Sequence, residues 1–293
     1  MSYSCRKPRG HGCLAGPMTL PHPLHETALA FRALHVPGRP LVLPNAWDAA
    51  SAAVVAQAGA AAVATTSAGV AWALGAADGD RLDRDRALAA VARITAAVSV
   101  PVSADIEGGY AEDPAGVAGT VRAVLAAGAV GVNIEDARYG GGGALRPVAE
   151  QAARIAAVRA AADRAGVPLF VNARIDTFLR GAGGVDHTLE RAAAFVAAGA
   201  DGIFVPGAVD PETVKALVAG IDGPVNVLLL PGAPTVAELA ALGVARISAG
   251  SGLAEAAHAL VRRAARELLE EGTHGFLAGG YPYGELNALF TRG

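Results

Sequence analysis

The chain has 293 residues, 53% of them hydrophobic and 17% charged, with a formal net charge of −3. That length and apolar content can bury one large core or two small ones, and the near-neutral charge excludes an electrostatic case for nucleic acid or an anionic membrane. Both cysteines, Cys5 and Cys13, precede residue 24, which excludes a disulfide framework and a cysteine nucleophile from the core.

Residues 1–23 are basic and rich in Pro and Gly. They lack an unbroken apolar segment, so they read as a flexible leader rather than a signal peptide. No later apolar run has the length of a membrane span, and a cytoplasmic protein is expected. A first helix fits Leu24–Leu34, where Ala28, Leu29, Phe31 and Leu34 recur near helical spacing. Short apolar runs then alternate with Ala-rich segments of helical period. The strands expected are Leu41–Leu43, Ala61–Thr66, Val100–Ala104, Gly131–Ile134, Leu169–Ala173, Gly202–Val205, Val225–Leu229 and Arg246–Ser248. Helices are expected near 48–58, 84–97, 114–127, 147–165, 186–198, 211–219, 234–242 and 252–271.

Punctuation supports these boundaries. Gly59, Gly128, Gly166, Gly199 and Gly243 stand where helix C-caps belong. Asp113-Pro114 and Asp210-Pro211 pair an N-cap with a first-turn proline. Strands that are apolar throughout have both faces covered. Eight such units define the expected α/β fold, a (β/α)8 barrel over residues 24–271. An open doubly wound sheet is the alternative, but Pro44-Asn45-Ala46-Trp47-Asp48 replaces the dinucleotide glycine fingerprint after the first strand. The tail, 272–293, carries Phe276, Tyr281, Tyr283 and Phe290 among glycines. It is expected to pack on this subunit or a neighbour.

In such a barrel the chemistry lies at the C-terminal strand ends. The third strand ends at Asp105 and Glu107, spaced so that an extended chain points both to one face. The fourth ends at Asn133, Glu135 and Asp136, and the fifth at Asn172, Arg174 and Asp176. Asp48 can simply cap the next helix, and Ser67 to Gly69 can be a tight turn. Several acids on adjacent strands would repel without a cation among them, which points to a metal–anion site.

At these residues the chain resembles the isocitrate lyase / phosphoenolpyruvate mutase superfamily. The resemblance rests on Pro44 to Ser51, Thr66 to Ala71, Leu74 to Gly79, Ala104 to Tyr110, Asn133-Ile134-Glu135-Asp136 and Asn172 to Asp176, in the family's order. It implies a (β/α)8 barrel with Mg²⁺ or Mn²⁺ at Asp105, Glu107 and Glu135, held directly or through water. It implies a 2-oxo acid or its enolate chelated to that metal. Backbone N–H groups of Ser67, Ala68 and Gly69 would cradle the substrate carboxylate, and Arg174 would clamp it. Asp78 matches an acid on the loop after the second strand, and Arg174, Asp78 and Glu135 form the expected catalytic set. Trp47, Asn133 and Asn226 join the expected substrate pocket. A homo-oligomer, dimer or tetramer, is implied as well.

The chain also departs from the pattern. The loop 137–147 holds no cysteine, lysine or histidine, where lyases of this superfamily carry a catalytic cysteine. Its Gly140 to Gly143 suggest a mobile lid, and Arg138 and Arg146 are the groups able to meet a second anionic end. Asn226 is followed by apolar residues rather than the family's acid, and Glu107 stands where many members carry Asp. The expected function is a Mg²⁺-dependent lyase acting on a small 2-oxo or 2-hydroxy (di)carboxylic acid through a metal-stabilised enolate. Carbon–phosphorus chemistry of the phosphoenolpyruvate mutase or phosphonopyruvate hydrolase kind is one alternative, and a non-catalytic 2-oxo acid binder is another.

Overall fold

The computed structural model describes residues 22–139 and 144–291. Almost all of the expected leader lies outside these residues, as do Gly140 to Gly143 of the expected lid.

Nine strands form one sheet in which every pairing is parallel. They are β1 (Leu41–Leu43), β2 (Asn45–Ala46), β3 (Val63–Thr65), β4 (Val102–Asp105), β5 (Gly131–Glu135), β6 (Phe170–Arg174), β7 (Gly202–Phe204), β8 (Val225–Leu228) and β9 (Arg246–Ser248). The order is β1-β9-β8-β7-β6-β5-β4-β3-β2. The two ends of the sheet are therefore consecutive in the chain, parted only by Pro44, and the sheet closes on itself. A proline has no N–H for the ladder. It splits one barrel position into β1, which pairs with β9, and β2, which pairs with β3. Eight expected strands thus become nine segments at eight positions.

The helices between strands are α2 (Ala49–Gln57), α3 (Ser67–Ala73), α4 (Arg84–Ala96), α5 (Pro114–Ala126), α6 (Val148–Arg164), α7 (Val185–Ala197), α8 (Pro211–Gly220) and α9 (Val236–Ala241). They follow α1 (His25–Ala33) and precede α10 (Gly252–Arg266) and α11 (Tyr283–Ala288). Asp113 and Asp210 cap α5 and α8, accepting from Gly116 at 2.7 Å and Thr213 at 2.9 Å. Asp48 does the same for α2 in a reciprocal box with Ser51, so its side chain serves the helix. Gly59, Gly128, Gly166, Gly199 and Gly243 all take left-handed φ between 70° and 104°, as C-cap glycines do.

One element differs from expectation: Ser67–Ala73 is a short helix rather than a plain turn. The expected extra C-terminal helix is present, as α10 continues through a π-turn at Glu267–Glu271 and a 3₁₀ turn at Gly275–Gly279 into α11.

α1 closes the N-terminal end of the barrel. Phe31 is fully buried, and a Cβ on Gly131 would stand 2.6 Å from its ring. His35 stacks on Phe170 at 3.7 Å and meets Phe31 edge-on at 4.9 Å. The opposite end, where strands deliver their polar residues, is left open for a site.

Candidate functional site

The third barrel strand, β4, stops at Asp105, and Ile106 goes into the core at 0% exposure. Glu107 then turns to φ +49°, so the two acids are not brought together by an extended chain. Sequence periodicity expected alternation; a left-handed turn does the work instead. Asp80 and Tyr110, at +57° and +52°, are the other non-glycine residues with positive φ among those described. Backbone N–H of Asp80 donates to Glu107, and Tyr110 lies beside the same carboxylate. Strain of this kind costs roughly 1–3 kcal/mol per residue and persists where the surroundings enforce it.

Glu107 is 2% exposed. Burial, reinforced by Asp105 and Asp80, pushes its carboxyl up to about 7. Asp105 is also raised, chiefly by desolvation, with Arg174 pulling the other way. Asp105 Oδ2 accepts from the Ser67 N–H at 3.1 Å, and its own N–H donates to Thr65 Oγ1 at 2.8 Å. Among the described residues neither acid has an Arg, Lys or His within ion-pair distance.

The neighbouring acids are different. Glu135, at the end of β5, gives Oε2 to Arg174 Nη1 at 2.7 Å and Oε1 to the Tyr139 hydroxyl at 2.7 Å. Burial raises its carboxyl while Arg174 opposes the shift. Arg174, at the end of β6, spends its fork on Asp176, with Nε at 2.6 Å and Nη2 at 2.9 Å. Two of its five N–H groups stay uncommitted. Asp136 faces the other side of β5, pairing with Arg191 at 2.7 Å and accepting from the Asp176 N–H at 2.9 Å. It is a structural clamp between strand ends rather than part of the acid cluster.

The remaining expected residues fall around this centre. Ser67, Ala68 and Gly69 form the first turn of α3, with the Ser67 N–H already used on Asp105. A Cβ on Gly69 would stand 2.7 Å from Trp47 Cβ, so Trp47 packs directly on that turn. Asp78 is exposed, and its charge acts on both Asp105 and Glu107. Asn133 and Asn226 are buried on the barrel floor, joined through Asn172 Nδ2 at 2.8 and 3.0 Å. Arg138 and Arg146 both pair with Glu150, at 3.0 and 2.8 Å. They line a cavity of about 460 Å³ with Gly79, Asp80, Arg81, Glu112 and Tyr139.

The structure thus gathers Trp47, Ser67, Asp105, Glu107, Glu135 and Arg174 at one mouth. It does not gather Asp105, Glu107 and Glu135 into a ready-made cage, and among the described residues no three His, Cys, Asp or Glu side chains form one. Two recessed oxygen donors without a cation do fit a hydrated hard cation, which takes one or two carboxylates and keeps several waters. Sequence reasoning assigns no role to Asp80, Tyr139 or Arg246. The available signal for Arg246 was a charged residue inside an otherwise apolar strand.

Comparison with known proteins agrees with this architecture. The model of the phosphoenolpyruvate phosphomutase family matches residues 31–269. An uncharacterized protein of Mycobacterium tuberculosis is 42% identical over 237 residues, covering 79% of this chain and 87% of that one. The 2-methylisocitrate lyase of Escherichia coli is 33% identical over 199 residues, 66% of this chain and 64% of the lyase. A phosphonopyruvate hydrolase structure in complex with oxalate and Mg²⁺ superposes with a TM-score of 0.79 at 27% identity, covering 90% of this chain and 94% of that one. The chain belongs to the phosphoenolpyruvate phosphomutase family, within the isocitrate lyase / phosphoenolpyruvate mutase superfamily.

Proposed function

We propose that the chain is a Mg²⁺- or Mn²⁺-dependent lyase for a small 2-oxo or 2-hydroxy (di)carboxylic acid, with an oxaloacetate-like substrate. The observation that carries this reading is the pair Asp105 and Glu107 at a strand end, with no Arg, Lys or His within ion-pair distance of either among the described residues. They would hold the cation, with Glu135 behind them through water. When bound, the cation supplies Lewis-acid stabilisation of negative charge developing on the substrate oxygen. The oxalate and Mg²⁺ in the related hydrolase structure support an oxygen-chelating ligand here.

The chain's own residues supply the rest. Asp176 fixes the plane of Arg174, whose uncommitted N–H groups would receive the substrate carboxylate. Decarboxylation breaks the bond to the departing carboxylate, whose electron pair becomes the enolate as carbon dioxide leaves. The enolate carbon then takes a proton. Glu135, whose carboxyl is raised by burial, and the Tyr139 hydroxyl bonded to it form the proton-bearing pair at that position. Asp78 reaches the same mouth from the loop after β3. Trp47 and the N–H groups of Ala68 and Gly69 would bound the substrate's side.

The family match favours a second reading, carbon–phosphorus chemistry on phosphonopyruvate or phosphoenolpyruvate. Product analysis separates the two. Pyruvate from oxaloacetate or an alkylmalate supports the lyase, whereas phosphate or an isomerised phosphonate from the phosphorus substrates supports the alternative. Tight oxalate binding without turnover of either class would identify a binder.

Among the described residues no helix is long and apolar enough to cross a membrane, and a cytoplasmic homo-oligomer is the form proposed. On this reading the unit that works is the barrel 24–271, with the tail packing on this subunit, where the Tyr281 hydroxyl donates to Gln57 Oε1 at 2.9 Å, or on a neighbour.

A further inference from the structure

Arg246 opens β9 and points into the barrel, where it is 1% exposed. No carboxylate lies within ion-pair distance of it among the described residues. Its Nη2 donates to Asn133 Oδ1 at 3.2 Å, while Nε and Nη1 are buried without a partner. Asn133 Oδ1 also accepts from Asn172, which donates in turn to Asn226. Asn226 Nδ2 returns to the Arg246 carbonyl at 3.3 Å and to Ser248 Oγ at 3.2 Å. The circuit runs through β5, β6, β8 and β9. It lies level with Asp105, which pairs in register with Asn133. Asp105 is the carboxylate whose charge acts on Arg246.

A buried, unpaired guanidinium is costly. In hydrophobic terms an apolar residue would serve the fold better, since replacing buried charge with packed apolar groups is often neutral or stabilising. Asp105 offsets part of that cost. A dianion bound beside Asp105 would bring further negative charge near Arg246.

We propose that Arg246 is a positioning residue that supplies, from the barrel floor, the positive charge favouring a dianionic ligand over a neutral or cationic one, and that orients Asn133 beneath that ligand. This rests on the proposed 2-oxo acid site. Deleting the charge should weaken anion binding and strengthen cation binding, because Arg246 attracts the first and repels the second. A purely structural residue would weaken both.

The test uses the full chain and two probes, Mg²⁺ alone and oxalate in saturating Mg²⁺, by calorimetry. Arg246→Gln keeps a donor for Asn133 and removes the charge; Arg246→Met fills the volume without polarity. In either variant oxalate affinity should fall about tenfold or more while Mg²⁺ affinity stays level or rises. Arg246→Lys should keep the wild-type ratio of the two. Parallel loss of both affinities, unchanged oxalate affinity, or failure of both charge-free variants to fold while Arg246→Lys folds would overturn the proposal. Wild-type protein that binds no oxalate in Mg²⁺ would overturn the site reading itself, and Arg246 with it.

Discussion

Glu107 combines a left-handed backbone, near-complete burial and a carboxyl raised to about 7. Each feature works against stability; the Asp80 N–H offsets part of the cost, and a ligand that binds the charged form would offset more. Glu107→Gln should therefore stabilise the metal-free protein at pH 8 by about 1 kcal/mol, and should abolish the Mg²⁺-induced rise in melting temperature that wild type shows. Thermal melts with and without Mg²⁺ decide it; a variant still stabilised by Mg²⁺ would remove Glu107 from the cation site. Gly69 is a second residue with a defined cost. An added Cβ meets Trp47 and Thr66 at 2.7 and 2.8 Å, so Gly69→Ala should destabilise by about 1–3 kcal/mol, read from denaturant titration. At this scale the sequence showed the acids Asp105, Glu107 and Glu135 and the arginine Arg174, because charge at the end of an apolar run is conspicuous. It hid how they pair. Asp176 taking the Arg174 fork, Tyr139 reaching Glu135 and Asp136 turning to Arg191 depend on side-chain directions that a linear pattern does not encode.

Elements were legible where punctuation was strong. The Asp-Pro starts of α5 and α8 and the glycine stops after α2, α5, α6, α7 and α9 stand where capping chemistry places them. α3 was not, because its seven residues, Ser67–Ala73, carry no charge and, Ser67 apart, no polar residue, so they give no helical period to read. The split of the first strand was hidden too, since Pro44 tells of a missing N–H but not of which neighbour each half adopts. α1 was found, and its consequence is a pH prediction. His35, packed between Phe31 and Phe170, is held down to about 3 by burial and by the nearby charge of Arg246. Unfolded, it takes up a proton near 6.5; folded, it stays neutral down to about 3. Its contribution is present above 6.5 and is lost as pH falls, by roughly 1.4 kcal/mol per unit between 6.5 and 3. His35→Phe should flatten that limb of the stability curve relative to wild type. An unchanged slope would show that another group sets the acid limit.

For the whole molecule, eight alternating units predicted barrel closure, and the strand order confirms it. Association was less visible, because a residue's exposure is fixed by the fold. Leu268, Leu269, Leu277 and Tyr283 are exposed, Leu269 and Tyr283 at 84% each. Such a set of exposed apolar side chains past α10 is unfavourable in water. The chain should sediment as a homo-oligomer, and Leu268→Glu with Leu269→Glu should shift it toward monomer in light scattering; an unchanged mass would place the interface elsewhere.

Whether the chain is a lyase is decided by the rate of pyruvate formation from oxaloacetate and alkylmalates in Mg²⁺, above the protein-free background. Wild type should turn these acids over, with the rate lost on chelation with EDTA and reduced at least about a hundredfold in Asp105→Ala and Arg174→Ala. Turnover that survives both substitutions, or wild-type protein that binds oxalate tightly and converts none of these acids, would contradict the proposed function.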